Sequence, residues 1–355
     1  MKINSAIKEY EVIYSDAFSF TKEIQGIENR FLVIDKNVYD SYREILDPIT
    51  SHGQMLLFES LEENKSIDKA LEICRKLMDL PSKRNTVLVS IGGGILQDVS
   101  GFAASILYRG IKWVFVPTTF LAQTDSCIGA KTSINYEGHK NILGTFYPPD
   151  KIYLDASFIK TLSERDYLSG VGEAIKIAIM SGEKSVSEME RDIDGFVDKD
   201  LVIAQKWAER SLLSKKKYIE EDEFDHGVRR LLNYGHTFGH ALEKTSDYAI
   251  PHGQAISIGM MIANDISLGR KYLKPDEKTR LDNLIRRSIN VNVKKGYFEK
   301  GFIEAMKKDK KRIGEGLAAI LLKSGFELAE AHDIDEHEVS ESVAHFLAGF
   351  GGSDL

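Results

Sequence analysis

Val87-Leu-Val-Ser-Ile-Gly-Gly-Gly-Ile-Leu-Gln-Asp98 passes from an apolar strand through three glycines into a helix that continues with Gly101-Phe-Ala-Ala-Ser105. Glycine has no Cβ, so a backbone built from it can turn sharply and approach a pyrophosphate, which the free N–H groups of the following helix start then bind. The triplet lacks the G-x-G-x-x-G spacing, and a tight turn without a ligand would use the same residues. A second strand end, Val116-Pro-Thr-Thr119, adds two hydroxyls suited to the same dinucleotide. Together the two turns favour a nucleotide site.

The same alternation extends to both sides. Phe31–Asp35, Met55–Phe58, Thr86–Ser90, Trp113–Val116 and Ile152–Asp155 are short β-rich runs separated by helical patterns. Strands spaced by helices predict a Rossmann-like, doubly wound, largely parallel sheet. After Asp155 apolar residues recur at three and four positions through 164–180, 200–220, 229–245, 253–270 and 276–290, which predicts helices. A hairpin is expected where Leu317–Leu322 and Phe326–Ala329 flank Lys-Ser-Gly, then a last helix over 335–349 and a frayed tail from Gly351. The fold class is therefore α/β plus all-α: a nucleotide-binding α/β domain over 1–155 and a mainly helical metal- and substrate-binding domain over 156–355. A cleft between two such domains is the expected reaction site.

Composition excludes several classes. Of 355 residues, 43% are hydrophobic and 28% charged, with 28 Gly and 7 Pro, which suits an ordinary globular protein. The net charge of −7 and the lack of a long basic run leave nucleic-acid binding without its electrostatic footprint. The longest apolar run, Leu317–Leu322, is far short of the roughly 20 residues that span a bilayer. No membrane role is expected, and a start without an apolar or Arg-rich leader predicts a cytoplasmic protein. Two cysteines, Cys74 and Cys127, are too few for a disulfide framework. Cys74 falls in the helical stripe Ile67, Leu71, Cys74, Met78 and is expected in a core.

Three clusters carry chemistry. Asp125-Ser-Cys-Ile-Gly-Ala-Lys131-Thr-Ser-Ile-Asn135 and Gly138-His-Lys140-Asn141 bring glycines, hydroxyls, lysines and amides into one loop-like stretch. Such groups satisfy the oxygens of a phosphate or carboxylate, although Lys131 or Lys140 taken alone is better explained by solvated surface. Glu173, His236, His240 and His252 form a candidate divalent-metal set, with His236 and His240 four apart on one helix face. Thr237 follows His236, so the H-E-x-x-H protease pattern is excluded. Lys215-Lys-Lys217, Arg229-Arg230 with Asn233, and Asp309-Lys310-Lys311 could supply further cations, of which Arg is able to clamp a carboxylate in bidentate fashion. His139, His226, His332, His337 and His345 lack such company and are expected to be surface or structural.

In this order, GGG…D at 92–98, YRG at 108–110, PTT at 117–119, DS…G.K at 125–131, KN at 140–141, GE..K at 172–176 and LN.GHTFGHA.E at 231–243 resemble the 3-dehydroquinate synthase family of sugar phosphate cyclases. The match runs from about Asp35 to Lys311. The resemblance implies tightly bound NAD and a divalent metal, zinc or cobalt. It implies Glu173, His236 and His252 as metal ligands and moves His240 into the substrate pocket. That pocket would further hold Asp125, Lys131, Asn141, Lys176, Lys215, Arg229 and Asn233, completed by Lys310 or Lys311. Arg109 would be lent to a neighbouring subunit, implying a homodimer. The NAD positions would be Asp35, Asn37, Glu62, Lys65, Gly93, Gly94, Asp98, Thr118, Thr119 and Lys140.

The implied reaction takes 3-deoxy-arabino-heptulosonate 7-phosphate to 3-dehydroquinate plus phosphate, by transient oxidation, phosphate elimination, reduction and intramolecular aldol closure in the shikimate pathway. Gln97, Ala130 and Ser133 depart from glycines common in the family. They leave open a cyclase for another sugar phosphate, in a cyclitol or aminosugar pathway. An NAD- and metal-dependent alcohol dehydrogenase would explain the glycines and the metal but not the dense cationic pocket, and a non-catalytic NAD-binding protein would not need the ligand set.

Overall fold

The computed structural model describes residues 1–50, 54–299, 301–309 and 316–350. Lys310, Lys311 and the tail 351–355 lie outside them. The chain divides into two compact units, one of residues 1–162 with 204–225 and the other of 163–203 with 226–355. The segment 204–225, most of helix Leu201–Glu221, thus belongs to the first unit although it follows the last sheet strand in sequence.

The first unit is built on a seven-stranded sheet of β1 (Lys2–Ile3), β2 (Tyr10–Ser15), β3 (Arg30–Asp35), β4 (Met55–Phe58), β5 (Val87–Gly92), β6 (Trp113–Pro117) and β9 (Lys151–Asp155), in the order β1-β2-β9-β6-β5-β3-β4. Every pairing is parallel except β1 with β2. The five expected strands are all present. In this sheet the two-residue edge strand β1 and its neighbour β2 were not anticipated, because Tyr10–Ser15 alternates buried and half-buried residues and offers no continuous apolar run. Leu32, Ile34, Val89, Ile91, Val114 and Val116 pack with Phe20, Tyr42 and Phe158 into a core on one side of the sheet.

The chain crosses from β3 outward to β4, returns to β5 beside β3, and continues to β6 on the other side. The connections therefore diverge between β3 and β5, where doubly wound sheets bind ligands at the carboxyl ends of the strands.

Two expectations are corrected here. The stretch 125–141 is not an open loop: β7 (Lys131–Tyr136) and β8 (His139–Phe146) form an antiparallel hairpin. Its two-residue turn, Glu137 and Gly138, has positive φ at both positions, the combination whose twist matches the strands. The hairpin is polar and largely exposed, so it lacks the apolar alternation by which a strand is recognised. Cys74 is buried as expected, but its neighbours in the core are Ala70, Ile73 and Leu77, while Leu71 and Met78 are exposed. The buried face of that helix lies one position earlier than the stripe through Leu71 and Met78.

The second unit is mainly helical, with helices Glu164–Met180, Glu183–Val197, His236–Thr245, His252–Gly269, Pro275–Arg286, Phe302–Asp309 and Glu336–Phe350 and one hairpin, β10 (Leu317–Lys323) with β11 (Glu327–Ile334). The expected hairpin and final helix are in place, and so are the expected helices, except that 229–245 divides at Gly235 into a 3-10 turn, Val228–Asn233, and the helix His236–Thr245, and that 276–290 ends at Arg286. Among the described residues no helix is long and apolar enough to cross a membrane.

Candidate nucleotide site and metal centre

Gly92 ends β5, Gly93 caps the next helix, and Gly94 opens that helix, which runs to Ile106. Gly93 brings no side-chain acceptor to the helix start, so the first-turn N–H groups point outward, where an anion is stabilised by them and by the helix dipole. A Cβ on Gly93 would come within 2.8 Å of Thr119 Cγ2, so the Thr118–Thr119 strand end closes directly on the glycine turn. Asp35 sits at the end of β3, on the other side of the switch point. One of its carboxylate oxygens caps helix Lys36–Ser41 by accepting from the N–H groups of Asn37 (2.8 Å) and Val38 (3.2 Å).

The other expected nucleotide residues form one polar cluster between the glycine helix and the β7–β8 hairpin. Lys65 Nζ lies 2.6 Å from Asp98 Oδ2 and donates to Asn141 Oδ1 at 2.6 Å. Asp98 also accepts from the Ser133 N–H at 3.0 Å and from its hydroxyl at 3.2 Å. Burial pushes the Asp98 carboxyl up, against the downward pull of Lys65 and Ser133. Glu62 accepts from Asn135 Nδ2 at 2.8 Å and pairs with Lys140 at 3.1 Å. Its desolvation is outweighed by these two partners, and its carboxyl is held below the ordinary value.

The family departures have local partners here. Gln97 donates to the Ser126 carbonyl at 2.7 Å and accepts the Ser126 hydroxyl at 2.9 Å, while Ser133 serves Asp98. Ala130 instead holds a left-handed φ of 63°.

Asp125 lies on a π-turn, Ala122–Ser126, and its side chain meets Lys215 Nζ at 2.8 Å; the same ammonium donates to the Asp125 carbonyl at 2.7 Å. Lys215 is buried, Lys216 pairs with Glu220, and Lys217 is exposed, so one of the three lysines points inward. Lys131, half exposed, is held by Asp225 at 2.6 Å. Asp225 was not anticipated, and its place in the polar run Glu220–His226 gave no signal. Within the first unit Asp125 is thus brought to Lys215, Lys131 to Asp225, and Asn141 to Lys65 and Ser133. In the second unit Lys176 and Arg229 are buried and Arg230 is exposed. Arg109 is exposed with a φ of 67°. The five unaccompanied histidines are all exposed.

The metal candidates converge in the second unit. Glu173, on helix Glu164–Met180, is fully buried. Its Oε1 lies 3.8 Å from His236 Nε2 and 3.6 Å from His252 Nε2. Ligands about 2.1 Å from a tetrahedral ion lie about 3.4 Å apart, so these separations suit a shared divalent metal. Neither Glu173 oxygen has a hydrogen-bond partner; Lys176 Nζ approaches Oε2 at 2.5 Å as an ion pair without hydrogen-bond geometry. Lys176 already offsets the charge at Oε2, whereas Oε1 faces only the two imidazole nitrogens and is the oxygen placed to take a metal.

The imidazole nitrogens of His236, His240 and His252 lie within 4.8 Å of one another, so distance alone leaves His240 inside the cluster. His236 Nδ1 faces the Tyr234 carbonyl at 3.3 Å, and the tautomer in which Nδ1–H donates to that carbonyl leaves Nε2 to ligate. Burial, then Lys176 and the other two histidines, push His236 well below the ordinary value and keep it neutral, the ligating form. Burial also lowers His252, but Glu243 and Glu173 outweigh it and raise that imidazole to about 9.

Glu243 Oε2 sits 3.1 Å from His252 Nδ1, an orienting carboxylate that was quoted in the motif without a role. Its positions seven after His236 and three after His240 place it on their helix face, which was the available signal.

Two family models match consecutively: 3-dehydroquinate synthase N-terminal over residues 55–169 and 3-dehydroquinate synthase C-terminal over 170–312. A 3-dehydroquinate synthase of Dictyoglomus thermophilum is 32% identical over 97% of this chain and 93% of its own length. That of Pelagibacter ubique is 35% identical over 91% and 92%. Among solved structures, 2-deoxy-scyllo-inosose synthase complexed with carbaglucose-6-phosphate, NAD+ and Co2+ superposes with a TM-score of 0.86 at 22% identity, over 97% of this chain and 99% of that one. The 2-epi-5-epi-valiolone synthase of Streptomyces hygroscopicus subsp. jinggangensis, with NAD+ and Zn2+ bound, gives 0.85 at 24%, over 98% and 99%. An iron-containing alcohol dehydrogenase from Thermotoga maritima gives 0.61 at 17%, over 96% and 98%. These three likenesses concern the fold.

Proposed function

The chain belongs to the 3-dehydroquinate synthase family, and on that premise we propose that it converts 3-deoxy-arabino-heptulosonate 7-phosphate to 3-dehydroquinate and phosphate as an NAD- and divalent-metal-dependent cyclase. The observation that carries the reading is the buried Glu173 carboxylate, without hydrogen bonds and bracketed by the Nε2 atoms of His236 and His252, in a chain with two further sets of inward-facing cations. An alcohol dehydrogenase would have no use for the cations. NAD and a zinc or cobalt ion would supply reversible oxidation of one substrate carbinol, which makes the neighbouring C–H acidic.

The protein's own groups do the rest. Glu173, His236 and His252 hold the metal, with Glu243 fixing the His252 ring. Asp35, Asn37, Glu62, Lys65, Gly93, Gly94, Asp98, Thr118, Thr119 and Lys140 bind NAD. Lys131, Lys176, Lys215 and Arg229 meet the phosphate and carboxylate of the substrate, where a planar guanidinium suits a carboxylate and ammonium groups suit a departing phosphate. Asp125 holds the Lys215 ammonium, and Asp225 holds that of Lys131, so each is oriented before the substrate arrives. Asn141, Asn233 and His240 donate to substrate oxygens, and His240 can carry a proton to the leaving phosphate. Arg109 reaches the phosphate bound by a second copy in a homodimer, and the enzyme works in the cytoplasm.

The test follows phosphate release from 3-deoxy-arabino-heptulosonate 7-phosphate with NAD and cobalt or zinc, with the product coupled to dehydroquinase. Phosphate and dehydroquinate in equal amounts, with no net NADH, are expected. Turnover only with sedoheptulose 7-phosphate or glucose 6-phosphate would reassign the substrate, and stoichiometric NADH would mark a dehydrogenase.

A further inference from the structure

We propose that Tyr234, Asn264 and Asp282 form a buried strap that sets the position of the His236 imidazole, which makes Asn264 and Asp282 positioning residues of the metal centre; this rests on the reading of His236 as a ligand. The strap begins at the Tyr234 carbonyl, 3.3 Å from His236 Nδ1. The Tyr234 side chain is fully buried, and its hydroxyl donates to Asn264 Oδ1. Asn264, also fully buried, donates through Nδ2 to Asp282 Oδ1 at 2.9 Å. Asp282 Oδ2 in turn accepts from Lys278 Nζ at 2.8 Å, and Lys278 lies 3.4 Å from Asp265. Both ends of the Asn264 amide are thereby used, which fixes its orientation and leaves Oδ1 as the acceptor for the tyrosine.

Two features make this chain more than a satisfied core network. Gly235, between Tyr234 and His236, has a φ of +80°, so the ligand helix begins immediately after a left-handed turn. The direction of the Tyr234 carbonyl is then determined by where the Tyr234 side chain is held. Asn264 lies on helix His252–Gly269, whose first residue is another ligand. The Tyr234–Asn264 hydrogen bond therefore joins the elements that carry two of the ligands and sets the separation of their imidazoles. A phenylalanine and a leucine would fill the same space without three polar groups to desolvate, so packing alone does not account for the trio.

The experiment compares cobalt binding by the intact chain and by Tyr234→Phe, Asn264→Ala and Tyr167→Phe. Tyr167 is a buried tyrosine of the same unit whose hydroxyl donates to the Phe196 carbonyl at 2.5 Å, away from the ligand carbonyl, and it controls for lost stability. Titration of the cobalt d–d absorption gives affinity and coordination, and thermal melting confirms folding. We expect Tyr234→Phe to weaken cobalt at least tenfold, within the 10–100-fold range of outer-sphere partners, and to alter the band. Asn264→Ala breaks the strap from its other end and covers the case in which the tyrosine variant does not fold; it is expected to do the same. Tyr167→Phe should melt lower with affinity unchanged. Parental affinity and spectrum in a folded Tyr234→Phe or Asn264→Ala protein would overturn the strap, as would equal weakening in Tyr167→Phe. Failure of the unaltered protein, but not of the variants alone, to show a cobalt band would instead remove the ligand reading on which the strap depends.

Discussion

Ala130 holds a φ of 63°, where an L side chain crowds its own carbonyl at a cost of about 1–2 kcal/mol. Glycine would avoid that cost but lose more chain entropy on folding, roughly 0.5–1 kcal/mol. Ala130→Gly is therefore expected to stabilise the protein by about 0.5–1 kcal/mol in urea titration; a lower midpoint would show that the Ala130 methyl contributes packing that outweighs the strain. Beside it, Lys131 is half exposed and its pair with Asp225 is worth at most about 1 kcal/mol to folding. Lys131→Ala should then keep its melting temperature while kcat/KM falls roughly 100-fold, the scale of one lost charge-stabilising contact. Unchanged turnover would exclude Lys131 from the pocket. Residue types were legible in the sequence; partners were not. Nothing near Gln97 or Ser133 indicated that they serve Ser126 and Asp98, since those partners lie 29 and 35 positions away.

Among the elements, each expected ligand adjoins a glycine: Gly172-Glu173, Gly235-His236 and His252-Gly253. The reason is backbone proximity. A Cβ on Gly172 would lie 2.5 Å from the Gly253 carbonyl, and one on Gly253 only 1.8 Å from the Ser169 carbonyl. Helices Glu164–Met180 and His252–Gly269 must touch backbone to backbone for Glu173 and His252 to meet. Gly253→Ala is expected to cost about 3 kcal/mol, the upper range for an overpacked core, and to leave the purified protein with substoichiometric metal. Full metal occupancy at parental stability would show that the helices can separate without losing the site. The helices themselves were legible, because amphipathic periodicity is a local property. The β7–β8 hairpin was not, because β7 buries only Thr132 and Ile134, β8 leaves Ile142 and Leu143 exposed, and polar side chains such as Lys65 and Asp98 bond to both strands.

For the whole molecule, a metal that binds only the folded chain should raise stability by about 2.7 kcal/mol at a hundredfold excess over its Kd. Zinc or cobalt is accordingly expected to raise the melting temperature in proportion to the logarithm of its concentration, and EDTA to reverse the shift. Glu173→Gln should abolish most of the response; an undiminished shift would place the metal elsewhere. The sequence by itself determined the strands of the parallel sheet, the helices after Asp155, and the residue types of both sites. Those follow from local periodicity and from which side chains can bind anions or metals. Only the tertiary structure decided that 204–225 joins the first unit, that Lys215 rather than Lys216 or Lys217 turns inward, and that Asp225 pairs with Lys131. Such pairings depend on packing between segments distant in the chain, and no local pattern encodes which buried charge will face which partner.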